Sequence, residues 1–275
     1  MSPEAVRIHD LIERYDALLL DAYGVLVTGR GVLPGAVALI DRLNRIGKPY
    51  WLVTNDASRL PETLAAEFAA LGLSVEAGRI VSSGSLLAGW IEHHGLAGER
   101  IGVMGPPDSH AMVARAGAQP VSPRQRFAAL AVCDESGYPF LEGANAAFST
   151  VCRRLDRGFR VPLALPNPDL VYPRGGGDFA FTAGGFAAMI GAALRARYPD
   201  RRDVDFEVLG KPRPAIFEEG VRRAGTRHVV MIGDQIATDV VGAQAAGLDA
   251  ALLAGGVSGR DWGGVRPQFT LATLE

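Results

Sequence analysis

Apolar residues along this chain fall into short runs that alternate with amphipathic stretches. The run Ala17–Leu20 is uniformly apolar and of strand length; it delivers a carboxylate at Asp21 and breaks at Gly24. Ahead of it, residues 4–15 predict a short amphipathic helix. Residues 25–33, punctuated by Gly29 and Gly31, predict a tight turn or small hairpin. Pro34 opens a helix that carries Val37, Leu39, Ile40, Leu43 and Ile46 on one side and stops at Gly47. Residues 49–53 predict a second strand ending in Thr54, Asn55 and Asp56. A helix over 61–71, closed by Gly72, leads to a third strand over 79–83. Strand, helix, strand, helix, strand with short connections predicts a parallel sheet with right-handed crossovers.

The middle of the chain changes texture. Strand-like runs at 101–104, 128–133 and 161–165 flank a helix over 144–155. Residues 167–177, with Pro168, Pro173 and three consecutive glycines, read as a loop. The opening alternation resumes with Lys211 and Pro212 heading a helix over 214–225. A strand over 227–232 then runs into Gly233 and Asp234, followed by a helix over 240–246 and a last strand over 248–253. The expected fold class is α/β. A doubly wound, Rossmann-like parallel sheet forms a discontinuous domain of residues 1–97 and 206–275, and residues 98–205 form an inserted α/β domain.

Composition alters this picture little. The 275 residues are 48% hydrophobic and 21% charged, ordinary globular material, and the net charge of -2 creates no field towards nucleic acid or an anionic membrane. Cys133 and Cys152 fit neither a metal spacing nor a disulfide framework, which points to a reducing, cytoplasmic setting. Charged residues interrupt every apolar run near the N-terminus, against a signal peptide, and the apolar stretch 179–194 is short for a bilayer.

The candidate chemistry lies at the strand ends: Asp21, Thr54 and Asn55, and Asp234 with Asp239. In a doubly wound sheet these termini converge on one crevice. Carboxylates brought together there repel unless a cation sits among them, and Mg²⁺ is the usual hard cation of phosphoryl-transfer sites. The Thr54 hydroxyl and the Lys211 amine are suited to the oxygens of an anionic substrate.

Four segments in this order resemble the four motifs of the haloacid dehalogenase superfamily of aspartate-nucleophile hydrolases. They are Asp21 with Tyr23-Gly24-Val25-Leu26, Leu52-Val53-Thr54-Asn55, Gly210-Lys211-Pro212-Arg213-Pro214, and Gly233-Asp234 through Asp239-Val240. The wider pattern resembles subclass IIA, the branch of 4-nitrophenyl phosphatases and pyridoxal-phosphate phosphatases, from about Asp16 to Gly259. There a large α/β cap is inserted between the second and third motifs, and Asn167-Pro168-Asp169 with Tyr172-Pro173 matches its loop.

The resemblance implies a Mg²⁺-dependent phosphatase of a small phosphorylated metabolite. Asp21 would be nucleophile and metal ligand, forming an aspartyl-phosphate, while Thr54, Asn55 and Lys211 hold the transferred group. Asp234, Asp239 and the main-chain carbonyl of Tyr23 would complete the Mg²⁺ site. Asn167, Asp169 and Arg174 are candidates for contact with the part of the substrate that does not react, a structural cap turn being the equal alternative. Pairing of caps implies a homodimer.

Tyr23 departs from the pattern, because phosphatases of this superfamily carry there a second Asp that protonates the leaving alcohol and then activates water. Such help is worth roughly 10²–10⁴-fold. Three readings remain. The first is a slow or specialised phosphatase, acting on esters whose leaving group needs little protonation or borrowing an acid such as Asp56, for which a helix cap is the plainer role. The second is a catalytically weak phosphate- and metal-binding or regulatory protein. The third is a 2-haloacid dehalogenase-type hydrolase, whose first motif Asp21-Ala22-Tyr23-Gly24 resembles, though those enzymes need no metal and lack the acids present here as Asp234 and Asp239. The retained acids and Lys211 rank the phosphatase first.

Overall fold

A computed structural model describes residues 2–175, 177–255 and 264–275. Gly176 of the glycine run and Gly259, where the resemblance ends, lie outside the described residues. In chain order the elements are β1 (Glu4–Val6), α1 (Ile8–Arg14), β2 (Ala17–Leu20), β3 (Val27–Thr28), β4 (Gly31–Val32), α2 (Ala36–Arg45), β5 (Tyr50–Thr54), α3 (Pro61–Ala70) and β6 (Ile80–Ser82). There follow α4 (Leu87–His93), β7 (Arg100–Met104), α5 (Pro107–Arg115), β8 (Gln119–Val121), β9 (Ala129–Val132), α6 (Phe140–Leu155), β10 (Leu163–Leu165), β11 (Val171–Gly175), β12 (Asp178–Phe181), α7 (Ala183–Arg197) and β13 (Glu207–Val208). The chain closes with α8 (Pro214–Ala224), β14 (Val229–Gly233), a π-helical turn (Ile236–Val240), α9 (Val241–Ala245), β15 (Asp249–Leu253) and β16 (Phe269–Leu271).

Two units emerge. The first comprises Met1–Thr54, Pro61–Ser82 and Lys211–Glu275. Its seven-stranded sheet runs β1-β16-β15-β14-β2-β5-β6, with every pairing parallel. Strands buried on both faces read as continuous apolar runs, and all four residues of β2, an interior strand, are fully buried. The chain crosses from β2 to β5 on one side and returns through β14 on the other, so strand order reverses at β2. The core of this unit joins Leu18, Leu20, Leu52, Ile232 and Leu253 to Leu39, Ile40, Leu43 and Phe68 of the helices.

Two expectations for this unit change. The helix expected over 4–15 begins only at Ile8, because residues 4–6 pair as an edge strand with β16, a strand that carries no pattern of its own. On α2 the buried side is Ala36, Leu39, Ile40 and Leu43, which leaves Val37 and Ile46 exposed.

The second unit comprises Asn55–Leu60 and Ser83–Gly210. A parallel five-stranded sheet, β13-β10-β9-β7-β8, forms its centre. This unit is wider than the inserted domain expected at 98–205. Leu87, Trp90, Ile91 and Leu96 pack in one cluster with Ile101, Val103 and Met112, so α4 belongs with the sheet that follows it. At the other end β13 pairs with β10 and carries the unit past residue 205. The loop expected over 167–177 is instead largely a hairpin of β11 and β12, with a register shift between Pro173 and Gly175. A bulged two-stranded ribbon tolerates the proline that argued against a strand. Among the described residues no helix is long and apolar enough to cross a membrane.

Candidate active site

The site is assembled at the carboxyl ends of β2 and β14. Register places Leu20 beside both Ile232 and Leu52, so Asp21 follows β2 one residue on, and Thr54, buried, ends β5 two residues beyond Leu52. The Asp21 N–H donates to the Ile232 carbonyl at 2.9 Å and prolongs the ladder by one bond. The chain then turns sharply: the Leu26 and Val27 N–H groups donate to the Ala22 carbonyl at 2.9 and 3.0 Å, and the Gly24 N–H donates to the Val27 carbonyl at 2.7 Å. The Ala22 N–H donates to Asp21 Oδ1 at 2.7 Å and fixes the carboxylate's orientation.

Asp234 follows β14 directly, and the π-helical turn brings Asp239 back beneath it. The Gln235 N–H donates to Asp239 Oδ2 at 3.1 Å, and the Asp239 N–H donates to the Gln235 carbonyl at 3.0 Å. Lys211, ahead of α8, donates from Nζ to Asp239 Oδ1 at 2.7 Å and pairs with Asp21 Oδ1 at 2.8 Å. One carboxylate oxygen from each of Asp21, Asp234 and Asp239 lies within 4.8 Å of the others, and all three residues are buried.

Two glycines make room for this cluster. A Cβ on Gly24 would lie 2.3 Å from the Asp234 carboxylate, and one on Gly233 would lie 2.3 Å from Cβ and Cγ of Asp239. Nothing in the sequence marks either glycine as part of the site beyond its place in a motif, Gly24 three residues after Asp21 and Gly233 immediately before Asp234.

Burial pushes the Asp21 carboxyl well above the usual carboxylate range, and Asp239 and Asp234 add to this while Lys211 opposes it. Burial opposes the charge of Lys211, yet Asp21 and Asp239 outweigh it and raise its pKa. Among the described residues, Lys211 pairs with two of these three buried carboxylates, Asp21 and Asp239. An all-oxygen donor set of this compactness, in a pocket cleared by two glycines, fits a hard divalent cation.

Other candidates fall elsewhere. The Tyr23 Oη accepts the Gly29 N–H at 2.9 Å, which ties its ring to the turn between β3 and β4. In the second unit the Asn55 Nδ2 donates to Asp169 Oδ1 at 3.2 Å, the Asp169 N–H to Asn167 Oδ1 at 3.0 Å, and the Asn167 Nδ2 to Thr182 Oγ1 at 3.3 Å. Asn55, Asn167 and Asp169 therefore come together in one network, and Arg174 lies exposed on β11. Asp56 does not cap a helix: its carboxylate accepts the N–H groups of Ser58 and Arg59 at 2.8 and 3.0 Å and the Arg59 Nε at 2.8 Å.

Known proteins resemble this chain in sequence and in fold. Residues 18–119 match a family model described as haloacid dehalogenase-like hydrolase, and residues 208–275 match a second, HAD-hydrolase-like model. The chain is 29% identical over 252 residues to the D-glycerol 3-phosphate phosphatase of Mycobacterium tuberculosis, covering 90% of this chain and 65% of that relative, just under two thirds of its length. Among solved structures, a possible sugar phosphatase of the HAD superfamily from Cytophaga hutchinsonii has a TM-score of 0.83 at 28% identity, with 99% of each chain covered. A glycerol phosphate phosphatase from Mycobacterium tuberculosis in complex with calcium has a TM-score of 0.78 at 26% identity, covering 96% of this chain and 75% of that one. With both family models in chain order, flanking the segment that builds most of the second unit, the chain belongs to the haloacid dehalogenase-like hydrolases.

Proposed function

We propose that this protein is a divalent-cation-dependent phosphatase of small phosphorylated metabolites that works through an aspartyl-phosphate on Asp21. The observation that carries the reading is the buried cluster of Asp21, Asp234 and Asp239 with Lys211 bridging two of them. The names of the relatives, all phosphatases of small phosphorylated molecules, support the reaction class.

In this mechanism an Asp21 oxygen attacks phosphorus in line, and the bond from phosphorus to the leaving oxygen breaks. Water then cleaves the aspartyl-phosphate and frees the Asp21 carboxylate. Lys211, which touches Asp21, is placed to neutralise the phosphoryl oxygens beside the nucleophile. The Thr54 hydroxyl, at the end of the neighbouring strand, is a donor to the same group. Asp21, Asp234, Asp239 and the main-chain carbonyl of Tyr23 would hold Mg²⁺. Bound there, the cation supplies Lewis-acid stabilisation of charge on the transferred group. Asn55, Asn167 and Asp169 serve chiefly to brace the second unit through their shared bonds.

A second reading, a phosphate- and metal-binding protein with little turnover, is favoured by the anchored hydroxyl of Tyr23. Hydrolysis of 4-nitrophenyl phosphate in Mg²⁺ separates the two. Activity that Asp21→Asn abolishes is expected. Binding of Mg²⁺ and inorganic phosphate without turnover would favour the second reading, and metal-free halide release from 2-chloropropionate would overturn both.

A further inference from the structure

In the second unit β10 and β13 lie side by side and parallel, and the segments that enter them line one groove at their amino ends. The groove has a volume of about 260 Å³, at the lower edge of those that take up small ligands. It lies at the end of β10 opposite to Asn167 and Asp169, and none of its lining residues belongs to the carboxylate cluster.

The apolar wall of the groove is held by the core. Val161 and Leu163 are buried in the cluster that also contains Leu130, Val151 and Leu194, and Phe206 packs against it while remaining partly exposed. The Pro162 carbonyl is already spent on the Leu130 N–H, at 3.0 Å.

Charge is divided unevenly around this wall. Asp203, Asp205 and Glu207 line the groove, and each pairs with a side chain that does not. Asp203 accepts from Arg201 Nε at 2.9 Å and Nη2 at 2.7 Å, which holds its carboxyl below the usual carboxylate range. Asp205 accepts from Arg195 Nη1 at 2.7 Å, and Glu207 pairs with His94 Nε2 at 2.9 Å. Arg160 and Arg202 complete the lining, and both are exposed. Neither makes a side-chain hydrogen bond or salt bridge with a described residue, and Arg160 reaches Asp203 only through its field. The acids are therefore matched, and two guanidinium groups are left to the groove. Each presents a planar fork of donors suited to the oxygens of a carboxylate or a phosphate.

We infer that this groove binds a small organic anion, with its carboxylate or phosphate group held by Arg160 and Arg202 and its apolar body against Val161, Leu163 and Phe206. Further negative charge on the ligand would meet Asp203, Asp205 and Glu207, so the groove selects against polyanions. This site is separate from the reaction proposed at Asp21 and does not depend on it.

NMR of the whole, methyl-labelled chain in Mg²⁺ tests the assignment. The probes are benzylphosphonate and phenylacetate, which differ chiefly in the anion, and uncharged benzyl alcohol. At least one anion should shift the Val161 and Leu163 methyls saturably, with a Kd on the order of 1 mM or tighter. Phosphonate alone would point to a phosphate ligand, phenylacetate alone to a carboxylate. Benzyl alcohol should bind at least ~10-fold more weakly. Arg160→Gln and Arg202→Gln remove no bond of the folded chain, and each should weaken the anion by ~10-fold or more, the worth of a charge-assisted hydrogen bond. Arg157→Gln, outside the groove, should leave binding unchanged. Phosphonate held at the carboxylate cluster would instead shift the methyls of Leu20 and Ile232, so the two places are read separately. No shift at Val161 and Leu163 with either anion, an equal response to benzyl alcohol, or undiminished binding in both arginine variants overturns the inference. Each of these results leaves the phosphatase reading standing.

Discussion

At Gly24 the backbone lies at φ +94°, a region that side chains rarely enter, and the Asp234 carboxylate occupies the space where a Cβ would stand. Gly24→Ala therefore meets strain and a collision at once. A loss of ~1–3 kcal/mol is expected from the strained backbone, read as a lower midpoint in urea with the slope unchanged. Divalent-cation affinity measured by calorimetry should fall as well, because the methyl displaces a ligand. An unchanged midpoint and affinity would mean that Asp234 is not fixed as described. At this scale the acids and Lys211 were legible in the sequence, since each lies at or near the end of an apolar strand or the head of a helix. The bonds of Tyr23 to Gly29 and of Asp56 to Ser58 and Arg59 were not. They depend on how two short turns fold, and no periodicity records that.

Helix α8 shows what an element contributes to such a site. Its Ile216, Phe217, Gly220 and Val221 are buried, a helical spacing that the sequence displays openly. Phe217 is fully buried, and a Cβ on Gly242 of α9 would lie 2.4 Å from its ring, so the aromatic fills the join between the two helices. Lys211 enters the cluster just ahead of α8, and the π-helical turn carrying Asp239 leads into α9. Phe217→Ala is expected to cost about 3–5 kcal/mol in urea unfolding. It should also weaken cation binding, although residue 217 touches none of the acids; loss of stability with undiminished binding would argue against this packing as the support of the site. The shortest elements leave no periodic signal in the sequence. β1 and β16 are three residues each and gain their identity only by pairing across almost the whole chain. The β11–β12 hairpin was concealed by Pro173 and the glycine run, signals that ordinarily mark a loop.

Across the whole molecule, an inserted second unit was legible from the break in strand–helix alternation, but its edges were not. Residues 83–97 continue the opening alternation, and only the packing of Leu87, Trp90 and Ile91 against Ile101 and Met112 assigns them to the second unit. Each unit has its own core, and the carboxylate cluster belongs wholly to the first. A ligand that binds only the folded state stabilises it by RT ln(1 + [L]/Kd), about 2.7 kcal/mol at a hundredfold excess over Kd. Because that energy enters through Asp21, Asp234 and Asp239, it raises the cost of opening the first unit before it affects the second. Hydrogen exchange followed by mass spectrometry, with and without saturating Mg²⁺, should therefore show slower exchange in β2 and β14, by up to ~100-fold for amides that exchange through opening of that sheet. The strands β7 and β9 should change much less, and Asp234→Asn should remove the difference. Equal slowing of all four strands would mean that the two units open together. No slowing in β2 and β14 would mean that the three carboxylates do not bind the cation, and would remove the support on which the catalytic reading rests.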